Sequence, residues 1–259
     1  DEPCFSKDFE LSGNTLMIGS KDGCTGKVWI FESNGDKFNL TETHFSPDPS
    51  PHPADSEFGH SVSINGNNVL ITHSRYQLNQ HGFSGAAGIA YIGKKAPGLP
   101  LNMTSILNPN DAGTGEFGWD ADILDNKALV NDPYFSSVVD GSITESGLGM
   151  NYLYVKTAED TWENLSKLSR SDAAAISWFG RSGVEITDSD FAVVADPYSE
   201  SGTHPASAFG GLYIYDLREM EGLYVEPIYD EDIPAIGVIG SLMLALSILA
   251  VGWSRTRKR

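Results

Sequence analysis

Three stretches decide the fold: FGHSVSINGNNVLITHS (58–74), FGWDADILDNKALVNDP (117–133) and FGRSGVEITDSDFAVVADP (179–197). Their Phe-Gly pairs, Phe58-Gly59, Phe117-Gly118 and Phe179-Gly180, stand 59 and 62 residues apart. A fourth copy, FSKDFELSGNTLMIGSKD (5–22), opens the chain with Ser6 in place of the Gly. Each copy reads as a strand, a tight turn and a second strand. Ser12-Gly13-Asn14 and Asn65-Gly66-Asn67 place Gly and Asn where a two-residue hairpin needs positive φ. Short apolar runs follow, such as Leu16-Met17-Ile18, Val69-Leu70-Ile71 and Ala192-Val193-Val194, suited to strands covered on both faces.

Working outward, each copy continues through a variable loop into a third strand opened by Gly: GKVWIF from Gly26, GIAYIG from Gly88, GMNYLYV from Gly149 and GLYIYDL from Gly211. A fourth element, clearest in TWENLSKLSRSD (161–172) and looser in NMTSILNPND (102–111), closes on the next copy. Four antiparallel strands per unit, repeated side by side, predict an all-β fold of β-propeller blades, each burying its faces against its neighbours. The expected units are 1–57, 58–116, 117–178 and 179–229, followed by an acidic juxtamembrane linker at 230–232.

These motifs resemble the bacterial and archaeal branch of FG-GAP repeats, which are similar to the blades of integrin α-subunit propellers. The resemblance covers residues 5 to about 228. It implies a propeller usually closed by about seven blades, so four repeats and a start without Met read as the C-terminal portion of a larger propeller. The family's Gly-Ala-Pro element is degraded here, to Ile18-Gly19-Ser20 and Ala195-Asp196-Pro197 among others. It also implies calcium in some blades, through a DxDxDG loop. Of the corresponding turns only Thr187-Asp188-Ser189-Asp190 offers two carboxylates, Asp188 and Asp190, without the Gly or the third acid, and a solvated hairpin is the default. No other cofactor is expected.

The remaining chain reads as a membrane segment. Residues 233–253, IPAIGVIGSLMLALSILAVGW, carry no charge and span roughly 31 Å as a helix. Asp230-Glu231-Asp232 precede them and the basic tail at 254–259 follows, so the basic end is expected in the cytoplasm and the bulk of the chain outside, single-pass. A cleaved surface-protein sorting signal has the same layout. The 259 residues hold 17 Lys plus Arg against 35 Asp plus Glu, a net charge of −18. Four of the basic residues lie in the last five positions, leaving residues 1–254 at −22. That balance excludes nucleic acid, whose binding depends on cations displacing counterions.

Chemistry is less legible. The six histidines show no zinc-ligand spacing, and no nucleophile elbow, P-loop or dinucleotide fingerprint occurs. Cys4 and Cys24, the only cysteines, would close a single bridge in an exported chain. The sequons at Asn39, Asn102 and Asn164 are glycosylation candidates, and Asn102 and Asn164 fall on the expected outermost strands. Long loops after the second strands make Tyr134, Phe135, Tyr198 and His204 binding-loop candidates. The sequence thus predicts a membrane-anchored, non-catalytic propeller for cell-surface recognition or adhesion, with a protein or glycan ligand. The alternatives are a propeller-type polysaccharide-active enzyme and an accessory anchoring module of a larger enzyme.

Overall fold

A computed structural model describes residues 5–20, 26–47, 57–75, 88–95, 101–107, 109, 115–139, 142–145, 147–158, 161–170, 178–196, 210–219 and 229–233. The described residues form an all-β structure with four four-stranded antiparallel sheets. Blade 1 holds β1 (Phe5–Ser12), β2 (Thr15–Ser20), β3 (Lys27–Ser33) and β4 (Phe38–Phe45). Blade 2 holds β5 (Phe58–Asn65), β6 (Asn68–His73), β7 (Ile89–Lys94) and β8 (Asn102–Leu107). Blade 3 is β9 (Ala121–Leu124), β10 (Lys127–Asp132), β13 (Met150–Ala158) and β14 (Thr161–Leu168), with a separate hairpin, β11 (Ser137–Val139) and β12 (Ser142–Glu145), in its loop. Blade 4 is β15 (Gly183–Ile186), β16 (Phe191–Asp196), β17 (Gly210–Asp216) and β18 (Tyr229–Ile233). Each sheet runs in chain order from an inner to an outer strand, as blades of a propeller-like fold do.

The first hairpins of blades 1, 2 and 3 place the positive φ on their first turn residue alone, Gly13 at 57°, Gly66 at 58° and Asp125 at 53°, whereas the longer turn of blade 4 places it on its last residue, Asp190 at 62°. Asn14, expected there too, does not share it, because a turn with Gly in the first central position needs only one left-handed residue. Two further differences concern the end of the chain. Residues 230–232, expected as a linker, lie in β18, where Asp230, Glu231 and Asp232 pair with Tyr213, Leu212 and Gly211. A run of acids suits a sheet edge, since it discourages pairing with other chains. Ile233 ends that strand, and the rest of the expected membrane segment, with the basic tail, lies outside the described residues. Among the described residues no helix is long and apolar enough to cross a membrane.

Three apolar cores sit between neighbouring blades. Met17, Val28 and Ile30 of blade 1 meet Val62, Ile64, Val69, Ile71 and Tyr91 of blade 2. Leu70 and Ile92, on the other side of blade 2, meet Ala121, Ile123, Ala128, Val130 and Tyr152 of blade 3. Leu129, Leu153 and Leu168 in turn meet Val184, Ile186, Val194 and Tyr213 of blade 4. The middle of the second strand of a central blade, Val69–Ile71 or Ala128–Val130, is therefore apolar without a break, because successive residues face different neighbours.

The repeat signature is the joint between blades. Phe58, Phe117 and Phe179 are fully buried, each edge-on to tyrosines of its own third strand: Tyr91, Tyr152 and Tyr213. The Gly after each has φ of 85–87°. A Cβ on Gly59 would lie 2.7 Å from the Lys27 carbonyl oxygen of the preceding blade. Reciprocally, a Cβ on Gly26 or Gly149, which open the third strands, would lie 2.3 Å from the backbone nitrogen of Phe58 or Phe179. Two signatures that lie apart in sequence are thus the two sides of one backbone-to-backbone contact.

Inner strands have a ladder partner on one side only, and a polar latch serves the other. Asp8 Oδ2 accepts from Val62 N–H (2.8 Å), Glu10 Oε2 from Ile64 N–H (3.1 Å) and Ser12 Oγ from Gly66 N–H (3.2 Å). Ser63 Oγ and Asn65 Oδ1 accept from Ile123 and Asp125 N–H, both at 3.1 Å. Asp120 Oδ2 and Asp122 Oδ2 accept from Val184 (2.8 Å) and Ile186 (2.7 Å) N–H. Alternate side chains of one inner strand thus satisfy the backbone donors of the next.

Candidate active site at the head of the inner strands

The Phe-Gly pair is the centre of a tight turn in blades 2, 3 and 4. His60 N–H donates to the Glu57 carbonyl (2.9 Å), Trp119 N–H to that of Glu116 (3.0 Å) and Arg181 N–H to that of Trp178 (3.0 Å). Gly in the third position with positive φ is the requirement of a type II turn. With the Phe locked into the core, each turn carries one residue before the Phe and one after the Gly to the same end of the sheets. One end of the inner strands thereby gathers Glu57, Glu116 and Trp178 in one row and His60, Trp119 and Arg181 in the other, with Lys7 at the matching position of blade 1.

These side chains meet. Trp119 stacks obliquely on His60 (4.6 Å between ring centres), lies edge-on to Tyr134 (6.0 Å), and Tyr134 lies 5.7 Å from Trp178. The Arg181 guanidinium sits over all three large rings, at 4.5 Å from Trp178, 5.4 Å from Trp119 and 5.6 Å from Tyr134, and Lys7 lies 5.5 Å over Trp119. An aromatic platform carrying fixed positive charge is built from all four blades of an acidic chain.

Beside it lies a carboxylate pair. Glu57, buried, accepts from Ser74 Oγ (2.8 Å) and hydrogen-bonds His60 Nδ1 (3.1 Å) through Oε2, and reaches Arg75 Nη1 (3.2 Å) through Oε1. Glu116 Oε1 takes the other side of the same guanidinium, 3.4 Å from Arg75 Nε. Its Oε2 is buried and has no hydrogen-bond partner among the described residues. The two environments push the acids apart. Burial works to raise both. At Glu57 the bonds from His60 and Ser74 and the nearby positive charge outweigh it, so its carboxyl is held below the usual range. At Glu116 burial prevails over the attraction of Arg75, helped by the charge of Glu57, and its carboxyl is raised. His73, behind the pair, is pushed by burial down to about 4 and is neutral at physiological pH. Two carboxyls that bracket one guanidinium, one held below the usual range and the other raised above it, form the kind of divided pair that acid–base chemistry uses.

Deeper along the inner strands a second set of acids is structural. Asp120 is pushed up to about 7 by burial and then by Asp8, and Glu185 up to about 7 by burial and then by Asp122, Glu10 and Asp120. Glu10 and Asp122 are raised by burial as well.

Of the sequence-derived candidates, Tyr134 belongs to this site. Phe135 is half-buried and anchors its loop, its N–H donating to the Asp132 carbonyl and its carbonyl accepting from Leu148 N–H. Tyr198, His204, Cys4 and Cys24 lie outside the described residues. Asp190, one of the two calcium candidates, is engaged by Lys127 Nζ at 2.7 Å, and among the described residues no three potential ligands gather around it or Asp188. Asn39, Asn102 and Asn164 lie on β4, β8 and β14, the outermost strands of their sheets. The motif search missed Glu57, His60, Arg75, Glu116, Trp119, Trp178 and Arg181. The signal available was the pair of columns flanking Phe-Gly, E-F-G-H, E-F-G-W and W-F-G-R.

No family model matches the chain, so the FG-GAP resemblance stands without one, and no curated protein matches either. Among solved structures the chain is similar to the Cellvibrio cellulosa alpha-L-arabinanase, at 11% identity and a TM-score of 0.43, covering 90% of this chain and 76% of that one. The same enzyme complexed with arabinohexaose gives 12% identity and a TM-score of 0.40, covering 92% and 78%. Likeness at this level assigns neither residues nor substrate. Both neighbours are nevertheless enzymes, and this corrects the expectation of a non-catalytic recognition or adhesion module, which is not carried further.

Proposed function

We propose that the chain is a polysaccharide-active enzyme whose site is the head of the inner strands. The observation that carries this reading is the Glu57–Arg75–Glu116 bridge beside the aromatic platform. Sugar rings stack on Trp119, Tyr134 and Trp178, and the two carboxyls divide the labour of glycosidic cleavage. Glu116, whose carboxyl burial raises, is the acid of the pair and gives a proton to the leaving oxygen. Glu57, ionised because it is hydrogen-bonded and flanked by positive charge, serves the opposite face of the scissile bond as base or nucleophile. The uncharged run at 233–253 and the basic end behind it support a single-pass anchor that leaves the blades outside the cytoplasm.

The experiment is release of reducing ends from a panel of neutral and uronic-acid-bearing polysaccharides by the purified full chain. Glu116→Gln and Glu57→Gln are each expected to lower the rate by roughly 100-fold or more, with the fold intact by circular dichroism. Cleavage of no member of the panel, or a Glu116→Gln variant as active as the parent, refutes the reading.

A further inference from the structure

Blades 2, 3 and 4 each present one apolar face to the blade before them, and blade 1 carries the same face with nothing on it among the described residues. The positions correspond strand by strand. Phe9 pairs with Ile18 and Ile18 with Trp29; Leu11 pairs with Leu16, Leu16 with Phe31 and Phe31 with Leu40. In blade 2 the equivalent rows run Val62–Ile71–Tyr91 and Ile64–Val69, and those residues form the core against blade 1. In blade 1, by contrast, Phe9 is 66% exposed, Leu11 56%, Leu40 53% and Phe45 57%. Taking four strands at about 4.8 Å spacing and seven residues at about 3.3 Å, the face measures roughly 19 Å by 23 Å. An apolar patch of that extent marks an interaction surface.

Two observations choose the occupant. First, a neighbour docked as blades dock within the chain is blocked at Ser6. Its φ is 72°, matching the joint glycines, but it carries a Cβ where the equivalent atom on Gly59 would meet the preceding backbone at 2.7 Å. The occupant therefore stands off the inner strand and meets the flat of the sheet. Second, the rows of this face carry no carboxylate; the residues sharing it are Thr43, Ser20, Ser33 and one cation, Lys27, which lies over Trp29. The opposite face carries Glu10, Glu32 and Glu42. On a chain of net charge −18, this is a surface where two copies can meet without opposing acids.

We infer that this face of blade 1 is a self-association surface, on which a second copy of the chain packs face to face about a twofold axis. Two such faces bury an area at the lower end of specific interfaces, so the dimer is reversible, not obligate.

The test is sedimentation equilibrium of the full chain in a density-matched detergent, for the parent and for a Leu11→Lys/Leu40→Lys variant. The expected result is a monomer–dimer equilibrium in the parent and a dissociation constant at least ~100-fold weaker in the variant, with an unchanged thermal melt. Both substitutions are on exposed side chains. Hydroxyl-radical footprinting of the unmodified chain supplies a second readout: Phe9 and Phe45 become protected as concentration rises through the dimer range. A parent that stays monomeric, a variant that still dimerises through another part of the chain, or a parent that grows past dimer into longer assemblies overturns the inference.

Discussion

Asp120→Asn tests the reading of the inner acids as structural, because it should make the protein less sensitive to pH without weakening it in acid. Ser61 Oγ lies 3.0 Å from Asp8 Oδ2, 3.1 Å from Asp120 Oδ1 and 3.4 Å from the Ala121 carbonyl, so one hydroxyl proton faces three acceptors. The shortage is met by a proton on Asp120, whose carboxyl is raised from 3.8 to about 7. The folded state then holds a proton that the unfolded state releases, and stability falls as pH climbs from about 4 to about 7. The rise corresponds to on the order of 4 kcal/mol. Asparagine copies the protonated form: its oxygen keeps the Val184 N–H and its amide donates to Ser61 Oγ, which leaves the Ser61 hydroxyl proton for Asp8. The variant should match the parent near pH 4, exceed it increasingly as pH rises, and hold its full advantage above pH 7. Glu10, Asp122 and Glu116 are also raised and contribute in the same sense in both proteins, so the difference between the two curves reports Asp120 together with the part of the Glu185 rise that Asp120 causes. Urea unfolding followed by tryptophan fluorescence from pH 4 to 8 gives the two curves. A difference that stays constant across the range would falsify the shared-proton argument.

Two further substitutions test the joints between blades. Gly59→Ala is expected to cost about 3 kcal/mol or more, since alanine at φ 87° is strained and its Cβ would press on the Lys27 carbonyl; Ser6→Gly, at the same place in blade 1, should stay within about 0.5 kcal/mol. Equal urea midpoints for Gly59→Ala and the parent would remove the steric account of Phe-Gly. Arg170→Met strands the buried Asp196, 2.7 Å from the guanidinium, and should cost roughly 3–5 kcal/mol, while Arg170→Met/Asp196→Leu should recover part of that by thermal melt.

The sheets were legible because repetition multiplies a weak signal. One Phe-Gly pair says little, whereas three at nearly equal spacing, each followed by Gly and aromatics, leave few ways to pack. The site was not legible by the same search. Motifs such as those of metalloproteases or P-loops place several functional groups within one turn of chain. Here each blade contributes one or two residues, and Glu57 and Glu116 are neighbours only because successive blades stand side by side and Arg75 joins them. Reading the repeats down their columns, not along the chain, finds them: Lys7, His60, Trp119 and Arg181 share one column and Glu57, Glu116 and Trp178 another. The linker at 230–232 failed for a different reason, since three consecutive acids look like a solvated hinge until the edge position that accommodates them is known.

The excess of acid, first read as a surface property, divides by what each carboxyl faces. Asp8, Glu10, Asp120 and Asp122 accept backbone N–H groups of the next inner strand, and the groups that perturb Asp120 and Asp122 include no cation. Their task is to replace a missing ladder partner, and where one acceptor suffices a neutral group does it, as Ser63 and Asn65 do between blades 2 and 3. Glu57 and Glu116 instead face side chains and bracket a guanidinium, an arrangement that no sheet edge requires. Substitution by the neutral isostere therefore separates the two classes. It should preserve or raise stability at Asp120, and it should lower turnover by roughly 100-fold or more with little change in stability at the head of the strands.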